Sequence, residues 1–229
     1  MTSLVPGLLG VALGVRHALE PDHLAAVSTL ATEQKSARAG LLLGAWWGLG
    51  HTASLLVVGG GLALLEAQMP ARLGLALEAL VGVMVVALGL RALRRAVTEG
   101  RTGVVTTHAH FGEVHTHAGP DEHLHLRGGT LATRPLLIGV VHGLAGSGAL
   151  TALVLAELPT AAARLGYIAL FGLGSVAGMA LLTGLAGLPL RKVAEAPRVA
   201  AALLGVAGVL SVGVGGFWAV MSGLELAGL

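Results

Sequence analysis

Long apolar runs separated by short polar breaks set the pattern of this chain. The runs cover residues 4–30, 40–65, 73–93, 135–158, 165–189 and 199–223. At 1.5 Å of rise per residue, each is long enough to cross about 30 Å of hydrocarbon as a helix. The period-two alternation of a membrane β-barrel is absent. The pattern therefore predicts an all-α, polytopic membrane protein with six transmembrane helices. One connection breaks the rhythm, a polar insert over residues 94–133 between the third and fourth runs. It divides the chain into a first three-helix unit (1–93), a His-rich loop (94–133) and a second three-helix unit (134–229). The N-terminal run has no basic leader before it and reads as a retained first span, not a cleaved signal peptide.

Composition narrows this further. At 55% hydrophobic, 11% charged and a mean hydropathy of +0.83, the chain is too apolar for a soluble globular domain. Its 36 glycines suit helices that approach closely. Eleven basic residues fall in the loops after the odd-numbered runs, against Arg72 and Arg164 on the opposite side. The excess predicts a multi-pass plasma-membrane protein with the His-rich loop in the cytoplasm and both termini outside. The formal charge of +2 thus speaks of orientation and not of a nucleic-acid partner.

The two halves resemble each other. Gly14-Val15-Arg16-His17-Ala18-Leu19 aligns with Gly139-Val140-Val141-His142-Gly143-Leu144, and Gly48-Leu49-Gly50-His51 with Gly172-Leu173-Gly174-Ser175. Gly89 and Gly213 keep the same spacing. With three spans per copy, the second enters from the other side, so two repeats of inverted topology are expected, a build common among secondary transporters.

Ionisable groups inside the runs carry the chemistry. Residues 16–23 read Arg-His-Ala-Leu-Glu-Pro-Asp-His within the first apolar run. Such groups are costly in a bilayer unless paired, wetted or bound to something. His51 and His142 lie close to the centres of the second and fourth runs, at the depth of His17. Taken singly, each imidazole reads as a packing residue that hydrogen-bonds a neighbouring helix. Taken together, His17, Asp22, His23, His51 and His142 form a candidate site for a divalent cation. The chain has no cysteine, so imidazole and carboxylate must hold the ion, a set suited to Ni²⁺, Co²⁺ or Zn²⁺.

Pro21 cannot donate to residue 17, which predicts a kink, a freed His17 carbonyl as a further ligand, and convergence of His17, Asp22 and His23. Glycines around His142 predict a matching break in the fourth helix, with Ser147 at the repeat position of Asp22 and Gly148 at that of His23. Thr52, Ser147 and Thr151 are candidate hydroxyl ligands. Arg16 and Glu20, spaced i and i+4, are expected to neutralise each other. Glu78 reads as an interfacial carboxylate near the outer end of the third run, or as an attractor of cations at the mouth.

The insert holds three His-x-His pairs: His108 and His110, His115 and His117, His123 and His125, with Glu113, Asp121 and Glu122 among them. These are accessory metal ligands by composition, and the tract is expected to lack regular structure until metal arrives.

On these residues the chain resembles the nickel/cobalt transporter (NiCoT, NicO) family, in its short UreH-like branch. His17-x4-Asp22-His23 matches that family's signature, Leu49-Gly50-His51-Thr52 is similar to its Leu-Gly-His-Ser/Thr motif, and Gly178-Met179 to a Gly-Met element. The resemblance implies that His17, Asp22, His23 and His51 select metal in a permease. Residues 142–149 and Thr183 depart from the family's acidic positions there, and six spans replace eight, which favours the UreH-like branch.

The expected function is secondary transport of nickel, with cobalt or zinc as neighbouring choices, most simply uptake. Efflux is the alternative. An intramembrane metal-dependent enzyme is a second alternative, and a sensor or metal chaperone working through the insert a third. No Gly-x4-Gly-Lys-Ser/Thr occurs, so neither ATP hydrolysis nor a bound cofactor is expected. The partners implied are the divalent ion, the lipid bilayer, and cytoplasmic nickel chaperones or urease accessory proteins.

Overall fold

The computed structural model describes residues 4–31, 36–102, 106–110, 113–117, 124–126, 129–131, 133–193 and 197–229. Its helices are α1 (Leu4–His17), α2 (Pro21–Ala31), α3 (Ala37–Ser54), α4 (Gly60–Leu64), α5 (Ala71–Thr102), α6 (Thr133–Glu157), α7 (Ala161–Val193) and α8 (Pro197–Ala227). A π-helical turn at Leu55–Gly59 joins α3 to α4 in one rod. Four stretches are long and apolar enough to cross a membrane: Ala37–Leu64, Ala71–Thr98, Ala161–Ala186 and Arg198–Ala227. The two arms of α6, bent by 50° about Gly146–Gly148, make a fifth if they count as one span. The chain is a multi-pass helical membrane protein with four to five candidate spans among the described residues.

The first apolar run, expected as one span, is two helices of 14 and 11 residues. Proline at the first position of α2 needs no N–H partner, so the chain breaks there at little cost. Between the helices the Leu19 N–H donates to the Arg16 carbonyl at 2.9 Å and the Glu20 N–H to the His17 carbonyl at 3.0 Å. The His17 carbonyl, expected to be free, is therefore occupied by the turn itself. Ser36 starts α3, its hydroxyl accepting the Ala39 N–H at 3.1 Å.

Large apolar side chains such as Leu8, Val57, Leu137, Val206 and Phe217 point outward, as lipid requires. Glycines line the helix contacts. A Cβ on Gly44 would strike the Met179 carbonyl, one on Gly50 the Leu136 carbonyl, and one on Gly139 the Trp47 carbonyl. On the other side of α7, Gly14 rests on Phe171 and Ser175 while Gly174 rests on Val11. α5 and α8 pack antiparallel through Gly82 against Gly215 and Ala219, and Gly89 against Gly208 and Val212. These approaches bring backbones together where lipid offers no hydrophobic drive. Around them Leu30, Leu43, Trp47 and Met179 form one buried cluster, and Leu55, Val154, Ile168 and Phe171 another.

Arg164, expected in a solvent-facing loop, is 8% exposed. Its guanidinium donates to the carbonyls of Leu158 and Ala63 and to Glu66 at 2.8, 3.4 and 3.0 Å. It thereby ties the end of α4 to the α6–α7 connection, where Glu66 takes a left-handed φ of 52°. Arg164→Ala leaves two carbonyls without this donor, a loss of about 1–3 kcal/mol. The expected outcome is a fall of several degrees in the melting temperature of the detergent-solubilised protein. An unchanged Tm would mean the clasp carries no stability.

The insert holds two small antiparallel hairpins in place of the irregular tract expected: β1 (Thr106–His110) with β2 (Glu113–His117), and β3 (Leu124–Leu126) with β4 (Gly129–Leu131). His-x-His flanked by Thr and Val is itself a period-two pattern, which a strand accommodates. His108 stands opposite His115 and His110 opposite Glu113 in the backbone register. His123 lies outside the described residues.

Candidate metal site

The broken first run places its polar residues at the joint between two helices. His17 is the last residue of α1, and Asp22 and His23 occupy the first turn of α2. His51 lies on the inner face of α3 and His142 before the bend of α6. His51, His23 and His142 are 0%, 1% and 2% exposed, and the Asp22 side chain 24%. All five side chains meet. Asp22 bridges two imidazoles, with Oδ1 3.1 Å from His23 Nδ1 and Oδ2 2.8 Å from His142 Nε2. Nε2 of His17 and Nε2 of His51 lie 3.2 Å apart.

Two triads result, each with one donor atom per residue within 4.8 Å of the others: His17, His23 and His51, then Asp22, His23 and His142. Donors bound to one ion at about 2.1 Å sit roughly 3–4.2 Å apart, so either triad needs only a small contraction to close on a cation. His23 belongs to both. Buried ring nitrogens without a hydrogen-bond partner, His23 Nε2, His51 Nδ1 and His142 Nδ1, leave the cluster with unused donor capacity.

Some assignments made from spacing are replaced. Glu20 pairs with His17 Nδ1 at 2.9 Å and not with Arg16. The chain turns between His17 and Pro21, so the helical i, i+4 geometry that would have joined Arg16 to Glu20 does not form. A carboxylate on Nδ1 fixes the tautomer and orientation of His17, leaving Nε2 toward the cluster. The Thr52 hydroxyl donates to the Gly172 carbonyl at 3.0 Å and that of Thr151 to the Gly59 carbonyl at 3.3 Å, so both hold helices together. The Ser147 side chain lies outside the described residues. The bend at Gly146–Gly148 is where the break in the fourth helix was expected.

Trp47 was not singled out in the sequence. It is fully buried and stacks on His23, ring centroids 5.6 Å apart. Its signal was present, since Trp47 stands four residues before His51 and shares its helical face. Phe171 closes on His17 at 5.2 Å. Below these rings opens a cavity of about 630 Å³, walled by the cluster, Arg16, Glu20, Glu78, Leu55, Leu150 and Trp218 among others.

The profile of the NicO family, described as high-affinity nickel-transport protein, matches residues 4–194. The chain belongs to the NicO family. It is 35% identical over 204 residues to the urease accessory protein UreH of Bacillus sp. (strain TB-90), an alignment covering 89% of this chain and 85% of that relative. No solved structure matches. This NicO protein is a membrane metal transporter, not an enzyme, and the enzymatic alternatives fall away.

Proposed function

We propose that this NicO protein is a secondary carrier for Ni²⁺, with Co²⁺ as a second substrate, and that it works by uptake. The ion is held midway through the bilayer by His17, Asp22, His23, His51 and His142. The observation that carries this reading is the meeting of five side chains able to ligate metal, from α1, α2, α3 and α6, in one cluster on an open cavity. Borderline nitrogen donors with one carboxylate suit nickel and cobalt.

The helices α1 and α2 cross together as one broken span, giving six crossings in two inverted repeats. Equivalent contacts support this. The seat of Gly14 on Phe171 and Ser175 recurs as Gly139 on Trp47 and His51, and Gly174 on Val11 recurs as Gly50 on Leu136. Gly48 against Val176 likewise recurs as Gly172 against Thr52. By the distribution of basic residues, both termini face outward and the His-rich insert faces the cytoplasm. There His108, His110, His115, His117, His123 and His125 form an accessory store that passes the ion to nickel chaperones or urease accessory proteins, a role suggested by the name of the UreH relative.

The membrane potential drives the cycle, because inward movement of a divalent ion gains about 4.6 kcal/mol per 100 mV, twice the single-charge value. The test is Ni²⁺ flux into proteoliposomes under an imposed inside-negative potential. Inward flux that rises with potential supports uptake, and flux only in the opposite direction makes the protein an exporter. Deleting residues 108–125 is expected to lower flux less than about tenfold while removing high-capacity binding. Complete loss of flux on deletion would place the essential site in the insert.

A further inference from the structure

One carboxylate on the cavity wall has no part in the cluster. Glu78 comes from α5, a helix that contributes no cluster residue, and it is half-buried while lining the same cavity as His17, Asp22, His23, His51 and His142. It stands one helical turn before Val81 and two before Val85, the residues that pack on Ala25 of α2. Ala25 itself follows Asp22 and His23 by less than one turn. Glu78 is thus within a turn or two of the cluster, toward the end of the bundle where α5 begins and α8 ends. Its Oε2 accepts a hydrogen bond from the Ser222 hydroxyl of α8 at 3.3 Å, a neutral partner, and it forms no ion pair among the described residues. Glu20 and Asp22, by contrast, are spent on imidazoles.

The cavity is much larger than a bare ion. Six waters occupy about 180 Å³ at roughly 30 Å³ each, so 630 Å³ admits a divalent cation with its whole inner hydration shell. Most of the lining is apolar, among it Leu13, Leu150, Leu153 and Phe171, and it offers such an ion nothing. The wall carries three carboxylates, Glu20, Asp22 and Glu78, against the single guanidinium of Arg16. Of these three, Glu78 is the one not paired with a histidine.

We propose that Glu78 is a waiting station for the hydrated cation. It attracts the ion through its water shell, by charge and outer-sphere hydrogen bonds, and the shell is shed afterwards at the histidine cluster. The role is specificity-determining in charge and hydration, not in ligand type. It rests on the reading of the cluster as the transport site.

The experiment is Ni²⁺ flux in proteoliposomes of the full chain across a concentration series. Glu78→Gln is expected to lower kcat/KM about tenfold, the ratio given by 1.4 kcal/mol of lost attraction, mainly through KM with kcat within about twofold of native. Calorimetric Ni²⁺ affinity of the cluster, measured with residues 108–125 removed, stays native in Glu78→Gln. Ser222→Ala, which keeps the charge and drops the hydrogen bond, and Glu78→Asp, which keeps the charge on a shorter arm, each retain at least half of native kcat/KM. Added KCl lowers kcat/KM of the native protein more steeply than that of Glu78→Gln, because screening acts on the charge removed. Native kcat/KM in Glu78→Gln overturns the proposal, as does a loss in Glu78→Asp equal to that in Glu78→Gln, or a fall in kcat alone. If Asp22→Asn also transports at the native rate, the cluster reading itself has failed. If Asp22→Asn is dead and Glu78→Gln is native, only the waiting station has.

Discussion

Replacing His23 by alanine lowers the kcat/KM of Ni²⁺ transport by at least about 100-fold, more than any other single change among the five cluster residues. His23 is the one member common to both triads, so its loss leaves each with two donors. Outer-shell partners of a metal site are already worth about 10–100-fold, and a direct donor serving two positions exceeds that. His23 also holds Asp22 Oδ1 at 3.1 Å and lies against Trp47, His17 and His142, with ring centroids 5.6, 4.4 and 4.1 Å away. His17→Ala leaves the Asp22, His23 and His142 triad whole and should cost less than His23→Ala. The order of the two variants is the measurement, read from initial Ni²⁺ flux at matched protein incorporation. Native flux in His23→Ala would remove the cluster from the transport path.

Gly139→Val is the second large effect, and it acts through assembly. A Cβ at Gly139 falls on the Trp47 carbonyl oxygen and 2.9 Å from the His51 amide nitrogen, both backbone atoms of α3 that no rotamer change can move. The helices must part. His51 and, one turn along α6, His142 then separate, so metal affinity and stability fall together. Overpacking usually costs about 1–3 kcal/mol, and a contact made entirely of backbone belongs at the top of that range. The expected result is a drop of roughly 5 °C or more in the Tm of the solubilised protein, with Ni²⁺ flux reduced to background. Gly213→Ala is the control, since nothing lies within 4 Å of a Cβ there, and it should match the native protein in both readouts. Equal behaviour of the two variants would mean that the α3–α6 contact does not hold the site.

Much of this protein can be read along the chain. Apolar runs of known length without period-two alternation dictated helices in a membrane, because in hydrocarbon a run that is not part of a closed barrel can satisfy its N–H and carbonyl groups only within itself. The His17-x4-Asp22-His23 spacing, with His51 and His142 at similar depth, picked out the side chains that meet in space. Pro21 and the glycines near residue 146 marked where helices break or bend, since both are local backbone effects. The hairpins of the insert are the exception, since its composition predicts an irregular tract although His108-Ala109-His110 and His115-Thr116-His117 alternate as a strand does.

The partners of those side chains were a different matter. That Glu20 holds His17, that Trp47 covers His23, that Thr52 and Thr151 bind carbonyls across helices, and that His23 serves both triads all depend on how far each helix is rotated about its own axis. Periodicity defines a face but not the neighbour it meets. Rotation is set by backbone contacts such as Gly14 on α7 and Gly139 on α3, between residues far apart in sequence and closed only when the bundle assembles. The sequence by itself thus determined the membrane class and the candidate donor residues, while tertiary packing alone decided which of them stand together.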